Sequence, residues 1–304
     1  MLRISHISAF IKSLFRDQSG VSTLFGALLL LSIAVVFLSA FLVYALPAWE
    51  LHQESEENDT LFLSIVRFSN DADSMSQKSQ TGISDFQSVV LPPSNASIFT
   101  DTGGGFVFFS DLSIPPESEN YLKTESSVQN YYALSSGSVM VFNEYNQLPD
   151  QLYFVSPSFL LLCQSEGASF IKSPSAHFIE SDGRFILFLS GEILKCDSSP
   201  IFGEKAVIRY RKNRTVEIHD FVSDFEIRYV PPPSALFESH SIFYENRNIA
   251  AESWLSDFSS RISADFPEMD IVYKDEISSL CISSAVPIEV DIRITEFEIE
   301  LDSS

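Results

Sequence analysis

From residue 21 to residue 46 the chain carries no charged side chain, and no other feature narrows the possible folds as much. A helix over this stretch rises about 1.5 Å per residue and reaches about 39 Å, enough to cross a hydrocarbon core of about 30 Å with some tilt. Its Leu, Ile, Val and Phe side chains, at about −0.3 to −0.6 kcal/mol each on an insertion scale, outweigh Ser22, Thr23, Ser32 and Ser39. The stretch is therefore expected to insert as a transmembrane helix. Tyr44 and Trp49 fall where an interfacial aromatic belt would lie, and Pro47 where a membrane helix kinks or ends. A cleaved secretory signal is the alternative, with Val43, Tyr44 and Ala45 as a small-residue cut site. Its apolar region, however, is ordinarily only about 7–15 residues long.

Charge sets the orientation. Residues 1–49 hold Arg3, Lys12 and Arg16 against the single acid Asp17, a net of +2, so the remainder carries −24 of the total of −22. Lys12 and Arg16 keep the short N-terminal flank inside. The expected localisation is thus the cell membrane, single-pass, with a cytoplasmic N-terminus and an extracellular C-terminal domain. So acidic a body repels nucleic acid and anionic lipid, which removes nucleic acid from the expected partners. With 45% hydrophobic residues and 27 Phe, that body should fold around a core.

Residues 51–87 begin with Leu61, Ile65, Phe68, Ala72 and Met75 at helical spacing. This predicts a helix continuing outward, its stripe packed on the outer domain or on a partner helix. Residues 70–82 read as a flexible connector. From about residue 88, short apolar runs between turn residues predict an antiparallel β architecture. Residues 106–109, 138–142, 151–155 and 159–163 read as strands. Asp182-Gly183 predicts a tight hairpin joining 176–179 to 184–189, and Lys212-Asn213-Arg214 a second one joining 206–210 to 215–218. After Pro231-Pro232-Pro233, Ile249, Trp254, Leu255, Phe258 and Ile262 mark a helix. Over 288–301, Ile288, Val290, Ile292 and Ile294 alternate with Glu289, Asp291, Arg293 and Thr295, a half-buried strand that ends the sheet.

The resulting fold class is α+β, mostly β: a long N-terminal transmembrane helix, then an extracellular antiparallel β-sandwich-like domain with one C-terminal helix. Residues 1–20 form a basic leader, 21–49 the apolar helix, 50–87 its outer extension and connector, 88–230 the antiparallel β domain, and 231–304 a helix plus terminal strands completing the outer domain.

The run Arg16-Asp17-Gln18-Ser19-Gly20-Val21-Ser22-Thr23-Leu24-Phe25-Gly26-Ala27-Leu28 resembles the class III leader and mature start of archaeal type IV pilin-like proteins. The resemblance implies that a prepilin peptidase cuts between Gly20 and Val21, on the cytoplasmic side, so that the apolar segment stays on the mature protein. Leu46-Pro47-Ala48-Trp49-Glu50, the Gly103-Gly104-Gly105 turn and Asn146-Gln147-Leu148-Pro149-Asp150-Gln151 resemble archaeal envelope proteins that share this anchor, to about residue 210. Bacterial pilins place a Glu at the fifth mature position; Phe25 stands there in this chain, so pairing of that Glu with a neighbouring N-terminus does not carry over.

Catalytic signals are thin. Asp101-Thr102-Gly103 matches the core of an aspartic-protease motif, but the second copy such an enzyme needs is missing, since Ser181-Asp182-Gly183 reads as a turn. His6, His52, His177, His219 and His240 lie far from one another, and no G-x-S-x-G elbow or phosphate loop occurs. No cofactor, metal or enzymatic activity is expected. Cys163 and Cys196 fall at ends of predicted strands and are candidates for a disulfide, with burial of all three cysteines as free thiols the alternative. Asn58, Asn95 and Asn213 begin N-x-S/T sequons, Asn213 at the predicted hairpin tip. The expected role is that of a pilin-like surface subunit, partnered by the membrane, the prepilin peptidase and other pilin-like subunits, with a surface filament as its assembled form. The alternative is a membrane-anchored extracellular ligand-binding domain without filament assembly.

Overall fold

A computed structural model of the chain describes residues 18–91, 104–110, 121–124, 130–133, 137–145, 147–196, 201–202, 205–228, 241–274 and 279–303. It divides into two compact units, Met1–Gln53 and Glu54–Ser304.

The first unit holds helix α1 (Gln18–Ala40), a π-helical turn (Phe41–Ala45) and the start of helix α2 (Leu46–Gln77). In the π turn the Leu46 N–H donates to the Phe41 carbonyl, one residue further back than in an α-helix. Pro47 follows. Its ring has no N–H to donate and presses on the carbonyl four residues upstream, and a widened turn gives that carbonyl room. The helix thus runs on through Pro47, where the sequence suggested a kink or an end.

In the second unit, Leu61, Ile65, Phe68, Ala72 and Met75 of α2 are all buried, as their spacing predicts. The connector expected over 70–82 is a correction, because α2 continues to Gln77. Ala72 and Met75 extend the apolar stripe by about two more turns, and their burial overrides the polar composition around them.

The strands in chain order are β1 (Ser84–Val90), β2 (Gly104–Ser110), β3 (Tyr121–Thr124), β4 (Asn130–Ala133), β5 (Ser138–Glu144), β6 (Gln151–Val155), β7 (Leu160–Gln164), β8 (Gly167–Lys172), β9 (Ala176–Ser181), β10 (Arg184–Cys196), β11 (Ile201–Phe202), β12 (Lys205–Arg228), β13 (Asp270–Lys274) and β14 (Ser279–Ser303), with helix α3 (Ser241–Asp265) before β13. Among the described residues they form two sheets. One runs β4-β3-β12-β14-β10-β9, with β1 also on β12 and β13 also on β14; the other runs β11-β2-β5-β6-β7-β8.

Two expectations about pairing need correction. Residues 212–214 are not a hairpin loop. β12 is one strand paired with β14 along most of its length, and the register steps past Asn213 between Lys212 and Arg214 as a β-bulge. The positive φ that a primed turn demands is absent at Asn213; among the described non-glycine residues only Asp182, at 53°, has it. Asp182 and Gly183 do form the predicted tight turn between β9 and β10. The sheets are also not wholly antiparallel, because β10 and β14 run parallel from Phe185 beside Ile288 to Cys196 beside Ile299. The long connection containing α3 makes that crossover possible.

β14 does not close the sheet at its edge but lies inside it, between β12 and β10. Its even residues Ile288, Val290, Ile292 and Ile294 enter one core, whereas the odd Phe297, Ile299 and Leu301 enter another. Successive side chains of a strand face opposite sides, so the two halves of β14 are buried on opposite faces of one sheet. β10 repeats the device: Phe185, Leu187 and Leu189 belong to the second core and Leu194 to the first.

The first core joins the α2 stripe to Val139, Val141, Tyr153 and Val155 and, from the other sheet, to Ile208, Tyr210 and Phe297. Phe68 meets Tyr210 edge-on, with ring centres 5.0 Å apart. The second packs Leu255, Phe258 and Ile262 of α3 with Leu187, Val222, Leu280 and Val290. In the third, Phe243 and Ala250 of α3 cover Met140, Phe142, Leu152 and Phe154. β5 and β6 are therefore buried on both faces, which accounts for the uninterrupted burial of 151–155.

Candidate functional site

The apolar helix of the first unit is the strongest candidate. Every residue from 25 to 45 is exposed, up to 76% at Tyr44, around the whole circumference rather than on one stripe. A helix without a polar face suits a membrane or a bundle of like helices, not a water-facing surface. Ser32 is satisfied within the helix, its Oγ donating to the Leu28 carbonyl at 2.8 Å, which is how a hydroxyl is tolerated without water. The described segment is long and apolar enough to cross a membrane, as an anchor or as a signal sequence. Tyr44 and Trp49 are both exposed near its C-terminal end.

Gly20 and Val21 lie in the first turn of α1, and residues 1–17, with the basic leader and His6, lie outside the described residues. So do Asp101-Thr102-Gly103, Asn95 and His240. Among the described residues no group of His, Cys, Asp and Glu is arranged to hold a metal.

Cys163, Cys196 and Cys281 form no disulfide. Cys163 sits in the third core and Cys196 borders the first, so the pairing considered from sequence is not formed. Burial pushes the Cys163 thiol up to about 12, which keeps it protonated and unreactive.

Asn58 is tied into the fold. Its Oδ1 accepts from Oη of Tyr145, just past β5, at 3.2 Å and from Oη of Tyr153, in β6, at 3.3 Å, both hydroxyls reaching α2. Desolvation holds both phenols above the ordinary tyrosine range, so they remain donors. Beside them Glu54 Oε2 accepts from the backbone N–H groups of Gln147 at 2.9 Å and Leu148 at 3.0 Å, and Asp150 Oδ1 accepts from Tyr145 N at 3.1 Å. The polar stretch at residues 147–150 thus fastens a loop onto α2. Asn213 keeps an exposed side chain, at a bulge rather than a hairpin tip.

The bulge has a physical role that spacing alone did not suggest. Lys212 is fully buried, and its Nζ donates to the carbonyls of Met75 at 3.1 Å, Ser76 at 3.0 Å and Lys78. These are the carbonyls left over at the C-terminus of α2, where a cation also meets the negative end of the helix dipole. A lysine two residues after a buried tyrosine in a strand was the available signal. Glu192 is also buried: its Oε2 accepts from Ser156 Oγ at 3.2 Å and Ser158 N at 3.1 Å. Desolvation, only partly offset by those bonds, pushes its carboxyl up to about 7.

No protein-family model, curated protein or solved structure matches the chain.

Proposed function

We propose that this protein is a type IV pilin-like component of the cell surface, held in the membrane or packed into a filament through α1, with its second unit outside the cell. The observation that carries this reading is a helix exposed and apolar on every side, beginning where Gly20-Val21 resembles a prepilin peptidase junction. In this reading the peptidase removes residues 1–20 and leaves the apolar helix as a working part of the mature protein. The role is structural: α1 anchors or assembles, and the folded second unit presents a surface. The bulk of the second unit suits a minor or tip subunit, or a plain anchor, better than the repeating subunit of a filament.

The test is to compare host cells with and without prepilin peptidase. The longer, leader-bearing form should accumulate in the membrane when the peptidase is missing, and the protein should vanish from sheared surface fractions. An unchanged length in both strains would refute the reading.

A further inference from the structure

The second unit contains a cavity of about 480 Å3 that gathers side chains from α2, the β8–β9 turn, β10, α3 and β14. That volume lies within the range of about 300–1,000 Å3 typical of small-molecule sites. Its walls invert the charge of the protein. The chain has 41 acidic residues against 19 basic ones, yet Lys172, Arg261 and Arg293 line this cavity against the one carboxylate of Asp73.

The cations differ in how far the fold already satisfies them. Lys172 is matched, donating to Asp73 Oδ2 at 2.8 Å and to the Pro157 carbonyl at 2.5 Å. Arg293 is only partly matched: its Nη2 donates to the Gln77 carbonyl at 3.1 Å, Glu217 stands 3.7 Å from its Nε, and that buried Nε has no hydrogen-bond partner. Arg261 makes no ion pair among the described residues. Its guanidinium rests 5.7 Å from the centre of the Phe258 ring, and Phe258 in turn stacks on Trp254 at 5.7 Å and 5°. This ladder of one α3 face sets an arginine and an indole at the same cavity, already ordered by packing. The rest of the polar wall includes five serines, hydroxyl groups that both donate and accept.

Arg261, whose guanidinium fork has no ion-pair partner among the described residues, selects an oxyanion that it can hold in bidentate fashion, and the incompletely matched Arg293 adds a second positive charge. Surrounding hydroxyls and an indole select the body that carries it, one bearing several hydroxyl groups and a nonpolar ring face. We propose that this cavity binds an acidic saccharide, a hexuronate residue whose carboxylate lies between Arg261 and Arg293. This goes beyond the anchoring role and does not depend on it.

The full chain in detergent, at low salt, is titrated with glucuronate, glucose and inorganic phosphate while binding is followed by calorimetry. Glucuronate should saturate the site with one equivalent, glucose should not bind, and phosphate should compete only weakly. Arg261→Gln alters an exposed side chain and should leave the fold intact, as a thermal melt verifies, while weakening glucuronate binding by at least about tenfold. Trp254→Phe should also weaken it. Absence of saturable glucuronate binding would overturn the proposal, as would equal binding of glucose, phosphate binding as tight as glucuronate, or unchanged affinity in a folded Arg261→Gln protein.

Discussion

Lys212 and Glu192 are charges placed inside apolar cores, and their effects on stability differ in kind. Lys212 closes the end of α2 with three hydrogen bonds to carbonyls. Lys212→Met keeps the stem but takes this donor from all three carbonyls, of which Met75 alone keeps the Lys78 N–H, and should cost about 2–4 kcal/mol, read from the urea midpoint of the detergent-solubilised chain. Glu192 instead makes stability depend on pH. Its folded carboxyl is raised from 4.5 to about 7 by desolvation, so its contribution is complete below pH 4.5 and is lost as pH rises through 7. That difference corresponds to a loss on the order of 3 kcal/mol. Glu192→Gln should flatten the difference in melting temperature between pH 5 and pH 8 relative to the wild type, and parallel profiles would show that the carboxyl titrates normally. The cysteines offer a third measurement. Unfolded without reductant, the protein should show three free thiols, and folded it should protect Cys163 from maleimide. The burial of Lys212 and Glu192 could not be read from residue type, since Lys and Glu are side chains ordinarily found outside.

At the scale of elements, local signals worked where one face of an element determines it. The α2 stripe, the Asp182-Gly183 turn and the α3 pattern at Trp254, Leu255, Phe258 and Ile262 were legible because period and turn chemistry act within a few residues. Residues 212–214 misled because Lys-Asn-Arg between two apolar alternations has the composition of a turn, whereas an extra residue inside a strand has no composition of its own. A deletion pair separates the two. Removing Asn213 leaves Lys212 and Arg214 on the opposite faces they already occupy, and should cost less than about 2 kcal/mol. Removing Arg211 turns Ala206, Ile208 and Tyr210 away from the first core and should prevent folding. Equal tolerance of both deletions, measured by urea unfolding, would argue for a loop. β14 carries its own readable sign: its apolar positions change from even to odd between Ile294 and Phe297, which marks the change of buried face.

For the whole molecule, the apolar helix and the folded acidic domain were evident in the sequence, while the arrangement of the domain was not. The parallel pairing of β10 with β14 and the meeting of Lys172, Arg261 and Arg293 at one cavity bring together residues far apart in the chain. Such meetings depend on long crossovers, and nothing local encodes them. The central claim concerns α1, a helix kept on the mature protein as its means of anchoring or assembly. Intact mass and N-terminal sequencing of the protein isolated from membranes of its native host test it most directly. A mature chain beginning at Val21, with α1 attached and resistant to alkaline extraction, is the predicted result. A chain that begins at Met1, or that starts beyond Ala45 with the helix removed, would contradict it.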